Sequence, residues 1–245
     1  MTEQISSEDQ VISRIKENAH WRVVLHPGQF KKDRIGRLSE LWKIVEETQV
    51  RFRGWYYPHI SHRGEERGQG IDYIGCWSQY LRHTEHWRFY QSGQFAHLFT
   101  FRENDPDYAD TLRRCLQGEV PLTPQQLSSI HGFVSIVSAV YTFTEIFELA
   151  GHLAQREILH PDCQIIIGMH NIQGYALSFS TFNRALYDLY IAQVNTLEKA
   201  WTLNSEELVA RVRDLAVEAS LWFFERFGME VIEQVVADMQ ASLFR

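Results

Sequence analysis

The chain has 245 residues, 44% of them hydrophobic and 22% charged, with a formal net charge of −7. That balance excludes a disordered or low-complexity protein, and the length suits a single domain over residues 1–245, with a soft boundary near 118–125. No apolar run reaches the roughly 18 residues of a membrane span, and the acidic opening MTEQISSEDQ lacks the basic-then-apolar order of a signal peptide, so a cytoplasmic location and no membrane partner are expected.

Residues 10–18 read as a short helix behind the Ser6-Ser7 cap signal, and residues 21–26 as a strand stopped by Pro27-Gly28. From Ile35 to Glu47 the apolar Ile35, Leu38, Leu41, Trp42 and Val45 recur at helical spacing and make one stripe. Residues 50–57 are the next predicted strand. This strand–helix–strand opening suits either a parallel pair joined by a crossover or a helix packed on an antiparallel sheet.

Residues 73–80 and 86–102 supply further strand, the second folded into a hairpin at Ser92-Gly93. With Gln91 opposite Gln94, the pairs are Tyr90 with Phe95, Phe89 with Ala96, Arg88 with His97 and Trp87 with Leu98. One face is then apolar (Trp87, Phe89, Ala96, Leu98 and Thr100). The other carries His86, Arg88, Tyr90, Phe95, His97 and Phe99.

A helix over 107–116 precedes the connection GEVPLTPQQ. Helix resumes at Gln125, and residues 131–154 are apolar nearly all round, as in a central buried helix. Residues 163–169 and 175–179, joined by HNIQG, predict a second hairpin. Residues 182–201, 205–227 and from 229 onward read as helices, the second started by Ser-x-Glu-Glu capping chemistry. The expected fold is α+β: a mixed sheet with hairpins in the first half, a central buried helix, a second hairpin and a helical C-terminal region.

The charge is unevenly spread. Residues 1–117 hold 17 Lys/Arg against 16 Asp/Glu, whereas residues 118–245 hold 7 against 15. Between Arg51 and Arg102 lie seven Arg, five His and four acids, a cationic segment suited to phosphate or to solvent exposure alone. Strand alternation puts Arg51 and Arg53 opposite Val50, Phe52 and Gly54. Side by side with the later hairpin, Arg51, Arg53, Trp55, Tyr57, His59, Arg88, Tyr90 and His97 make a candidate ligand-binding platform, aromatics stacking bases and Arg meeting phosphates. A face covered by helices, with the Arg heads paired to acids, is the alternative.

His59-x-x-His62 and His83-x-x-His86 are the closest approach to a metal constellation, but no carboxylate stands at a recognised spacing, so neither a metal nor another cofactor is expected. Cys76, Cys115 and Cys163 are odd in number and far apart, which argues against disulfides and a cysteine-rich zinc site. In TEIFELAGH, Glu145, Glu148 and His152 share one helix face, as in a helical metal site or a paired polar network with His152 as partner of the acids. The loop from Arg63 to Gly70 is Gly-rich with mixed charge and matches no phosphate-loop signature.

The segments VRFRGWYYPHI, EHWRFYQSGQFAHLF and YTFTEIFELAGHLA resemble stretches of an uncharacterised bacterial protein family, similar to regions that accompany Schlafen-type AlbA_2 domains. The resemblance implies a bacterial, nucleic-acid-related or antiviral defence role and brings no catalytic residues with it. The Glu-x-Lys strand and the GG turn of the AlbA_2 domain itself are absent.

The expected function is therefore a non-catalytic binding or regulatory protein that recognises nucleic acid or a nucleotide-like ligand. A protein partner or a second copy would sit on the C-terminal helices, which carry Leu215, Leu221, Trp222, Phe223, Phe224, Phe227, Val231, Ile232, Val235 and Val236. The alternatives are a metal-dependent phosphodiester hydrolase built on His59, His62, His83 and His86, and a structural assembly subunit.

Overall fold

The computed structural model describes residues 7–54, 56–80, 83–179 and 186–244. Along the chain stand α1 (Glu8–Glu17), β1 (His20–Pro27), α2 (Leu38–Thr48), β2 (Arg67–Gln69), β3 (Tyr73–Tyr80), β4 (His83–Tyr90), β5 (Phe95–Thr100) and α3 (Pro106–Glu119). They are followed by α4 (Pro124–Ser129), β6 (Gly132–Ser135), α5 (Ile136–Gln155), β7 (Asp162–His170), β8 (Tyr175–Ser178), β9 (Thr196–Asn204), α6 (Ser205–Ala210), α7 (Val212–Arg226) and α8 (Glu233–Ala241). The fold is α+β. Among the described residues no helix is long and apolar enough to cross a membrane.

Seven strands form one sheet in the order β2-β3-β4-β5-β1-β7-β9, each neighbouring pair antiparallel, and β6 and β8 form a separate parallel pair. The opening is thus the antiparallel alternative, with β1 between β5 and β7. Direct partners share a face, so register sorts the side chains. Trp21 stands beside Phe99 and Met169, and Val23 beside His97 and Ile167. This front face is covered by α5, whose Phe143 meets Trp21 edge-on at 5.2 Å and whose Phe147 meets Trp201 at 5.5 Å. α5 also packs against α7, Phe143 to Phe223 at 5.0 Å. Each such buried large side chain contributes about 1.5–3 kcal/mol, and the central helix is buried as its apolar circumference requires. The back face carries α1 over β4 and β5, with Val11 and Ile15 buried.

Several local expectations are corrected. The described residues of the expected strand, 50–54 and 56–57, form a loop instead, in which Val50 and Tyr57 exchange both backbone hydrogen bonds at 2.9 Å. Gly54, at φ +70°, takes a left-handed conformation that suits glycine and ends the extended run. The two strands of the expected second hairpin part: β7 pairs with β1 and β9, and β8 with β6. Within the expected helix over 182–201, residues 182–185 lie outside the described residues, and β9 begins at Thr196. The alternating burial of TLEKAWTLN is strand periodicity that the surrounding polar residues mask. The long helix after Ser205 is split at Arg211 into α6 and α7, and its cap is Asn204, which accepts the Glu207 amide. In the C-terminal helices Leu215, Phe223, Phe224, Phe227 and Val236 are buried within the chain's own core, leaving Ile232 and Val235 exposed.

Candidate functional site

The β4–β5 hairpin decides the site. The turn holds three residues, Gln91, Ser92 and Gly93, closed by the Tyr90 amide donating to the Gln94 carbonyl at 2.9 Å, with Gly93 at φ +87°. The pairing is therefore Phe89 with Phe95, Trp87 with His97 and Glu85 with Phe99, one residue away from the expected register. A slip of one residue exchanges the faces of a whole strand. Phe95, His97 and Phe99 consequently join Trp87 and Phe89 on the front face, while His86, Arg88 and Tyr90 remain behind with Ala96 and Leu98.

Glu85 shares the front face with these rings and is 3% exposed. A buried carboxylate needs partners, and it has two: Ser78 Oγ donates to Glu85 Oε1 at 3.0 Å and His97 Nε2 to Glu85 Oε2 at 3.2 Å. Burial alone raises the Glu85 carboxyl, but the His97 hydrogen bond and charge outweigh it and hold the group below its usual value. An ionised carboxylate only accepts, so Nε2 carries a hydrogen, and in the neutral imidazole Nδ1 then keeps a lone pair. His97 Nδ1 is buried and meets no hydrogen-bond partner among the described residues. In that neutral tautomer the ring presents Nδ1 as a hydrogen-bond acceptor.

The 50–57 loop supplies the opposite wall. Its closed ends direct Arg53 down to α5, where Nε donates to Glu145 Oε1 at 2.9 Å and Nη2 donates to Oε2. Glu145 is almost fully buried, and its charge is what raises the Arg53 guanidinium against the opposing effect of burial. Tyr57, at the loop's end, is buried with its ring 5.3 Å from that of His97. Burial pushes its hydroxyl well above the ordinary tyrosine value, and the hydroxyl too lacks a hydrogen-bond partner among the described residues.

Between the two walls lies a cavity of about 190 Å³, lined on the sheet side by Trp21, Glu85, His97 and Phe99 and on the helix side by Ser138, Thr142 and Glu145. At its end Glu103, also buried, accepts the Ser135 amide at 3.1 Å, beside the α5 N-terminus. Burial outweighs that bond and raises the Glu103 carboxyl. Burial likewise lowers His83, against the pull of Glu85. A second, outer chamber shares Arg53, Arg102 and Ser138 with the first. No protein-family model matches the chain, and no curated protein and no solved structure matches it either. The cavity's own chemistry carries the functional reading.

Of the candidate residues, Arg53, Tyr57 and His97 line this cavity. His59 is close by, its carbonyl accepting Trp87 Nε1 at 2.7 Å. Arg51 lies over the exposed Tyr56 ring at 4.3 Å. Arg88 and Tyr90 are on the back face, where Glu8 accepts from Arg88 Nε at 2.9 Å and from His86 Nε2 at 2.7 Å. Trp55 lies outside the described residues. No single open platform is assembled, because α1 covers part of the back face and α5 the front.

The pleat also separates His83 from His86, and among the described residues no three His, Cys, Asp or Glu gather as a metal site. Glu145, Glu148 and His152 go to three partners: Arg53, Arg213 at 3.8 Å, and the Thr48 carbonyl at 2.8 Å. The expected pairing of His152 with the acids is therefore not what forms. Arg67 of the Gly-rich loop is tied down, donating to the Ser61 carbonyl at 2.6 Å. Sequence reasoning passed over Glu85 and Glu103 as cavity residues. For Glu85 the signal was its position in phase with Trp87 and Phe89, a charge on an apolar strand face. Glu103 gave no such signal, because its neighbour β6 is remote in sequence.

Proposed function

We propose that the protein binds a small polar molecule in the cavity between the front face of the sheet and α5, held by His97 Nδ1 and the Tyr57 hydroxyl. The observation that carries this reading is that both atoms are buried, line the cavity and lack a partner among the described residues. A buried polar atom left unsatisfied costs about 1–3 kcal/mol, so a guest that meets both recovers that loss. The space exceeds the roughly 150 Å³ that admits benzene in a dry cavity, and four aromatic rings, Trp21, Tyr57, Phe99 and Phe101, stand in its walls. Those walls suit a planar ring. The nucleotide-like ligand expected from the sequence survives in this form as a small molecule, whereas a nucleic-acid strand would need the open aromatic and basic platform.

The test is thermal unfolding of the purified protein against a panel of small N-heterocycles, nucleosides and nucleotides. A ligand at about 100 times its Kd stabilises the folded state by about 2.7 kcal/mol. The expected result is a dose-dependent rise in the midpoint of the parent that is weakened in Tyr57→Phe and absent in His97→Ala. A panel that leaves the parent unchanged, or that shifts His97→Ala as much as the parent, rejects the proposal.

A further inference from the structure

We infer that the ligand of this cavity carries an anionic group, which Arg102 receives at the neck between the two chambers; this rests on the small-molecule reading above. The inner chamber of about 190 Å³ and the outer one of about 470 Å³ share Arg53, Arg102 and Ser138 in their walls, and this shared wall is what we call the neck. The charges around it are unequally met. Glu145 is matched by Arg53, Glu85 by His97, and Glu103 by the Ser135 amide. Burial raises Glu103, which favours its neutral form, while the charges of Arg102 and Arg53 oppose that rise without either forming an ion pair with it.

Arg102 is exposed and makes no ion pair among the described residues. It stands two residues past the end of β5, next to Phe101, whose amide donates to the Ala19 carbonyl at 3.0 Å. The guanidinium thus has no ion-pair partner among the described residues and stands in the wall of a chamber whose inner face suits a flat ring. A guanidinium fork matches phosphate and carboxylate oxygens. The ligand class is a planar N-heterocycle bearing a phosphate or a carboxylate.

Titration calorimetry on the full chain separates the possibilities, with adenosine, guanosine, cytidine and uridine, their 5′-monophosphates, and nicotinamide against nicotinate as probes. The parent is expected to bind the charged member of at least one pair about tenfold more tightly than its neutral counterpart, the scale of one charge-assisted hydrogen bond. In Arg102→Ala that preference disappears while the neutral member binds as before. In His97→Ala both are lost. A preference among the monophosphates assigns the anion as phosphate, and one confined to nicotinate assigns it as carboxylate. If charged and neutral members bind the parent equally, or Arg102→Ala weakens both alike, the anion site is wrong and the cavity reading stands. If nothing binds the parent, both fall.

Discussion

His97 donates to Glu85 across 3.2 Å on a sheet face that also carries Trp87, Phe89, Phe95 and Phe99. The pair lies on adjacent antiparallel strands, diagonally across the hairpin, and Ser78 on β3 completes the Glu85 shell. Three strands therefore converge to hold one imidazole with its second nitrogen turned to a cavity.

Removing one member leaves the other buried and unmet. Glu85→Ala is expected to cost about 3–5 kcal/mol in urea unfolding, while Glu85→Ala combined with His97→Leu costs less than the sum of the single changes. Nitrogen NMR of the imidazole should show Nε2 protonated and Nδ1 bare in the parent. Additive losses, or a proton on Nδ1, would show that Glu85 does not set the tautomer.

The Arg53–Glu145 pair ties the 50–57 loop to α5, and Arg53 retains 19% side-chain exposure against 3% for Glu145. Arg53→Ala is predicted to lose about 3–5 kcal/mol by stranding the Glu145 charge. Arg53→Met with Glu145→Leu should recover most of that stability, since an apolar pair removes the desolvation cost. Equal instability of the single and double variants would mean that the loop is held by something other than this bridge.

Four histidines, His20, His83, His86 and His170, are held below the ordinary value chiefly by burial, each against a partner that pulls the other way. The unfolded chain titrates near 6.5, so below that pH it binds more protons than the folded chain. Stability is then lost as pH falls from about 6.5 toward the folded values, by at most about 1.4 kcal/mol per pH unit for each histidine. Glu103, raised by burial, acts in the opposite sense in mildly acidic solution. Urea midpoints measured from pH 7.5 to pH 5 should decline, and a flat or rising profile would refute the burial of neutral imidazoles.

Part of the short-range signal in the sequence translated directly into structure, whereas the strand expected at 50–57 and the second hairpin did not. Helical spacing marked α2 and α5, the run from Asp107 to Leu116 lies within α3, and Ser-Gly marked the hairpin turn, because these depend on neighbours a few residues apart. Sequence also carried the α+β class and the presence of an Arg, His and Tyr cluster in the first half. Tertiary structure decided which way those side chains face. The turn at Gln91-Ser92-Gly93 takes three residues rather than two, with Gly93 left-handed, and that one residue turned His97 inward to Glu85 and left Arg88 outside. The choice belongs to the packed core: in the observed register Phe95 and Phe99 are buried, at 1% and 6% exposure, and the other register would move both rings to the back face, where Ala96 and Leu98 are only partly buried. In the same way Arg53, Glu103 and Glu145 meet only because the loop after α2, the end of β5 and the central helix are brought together by folding. Long-range contact of this kind leaves no periodicity for a sequence to show.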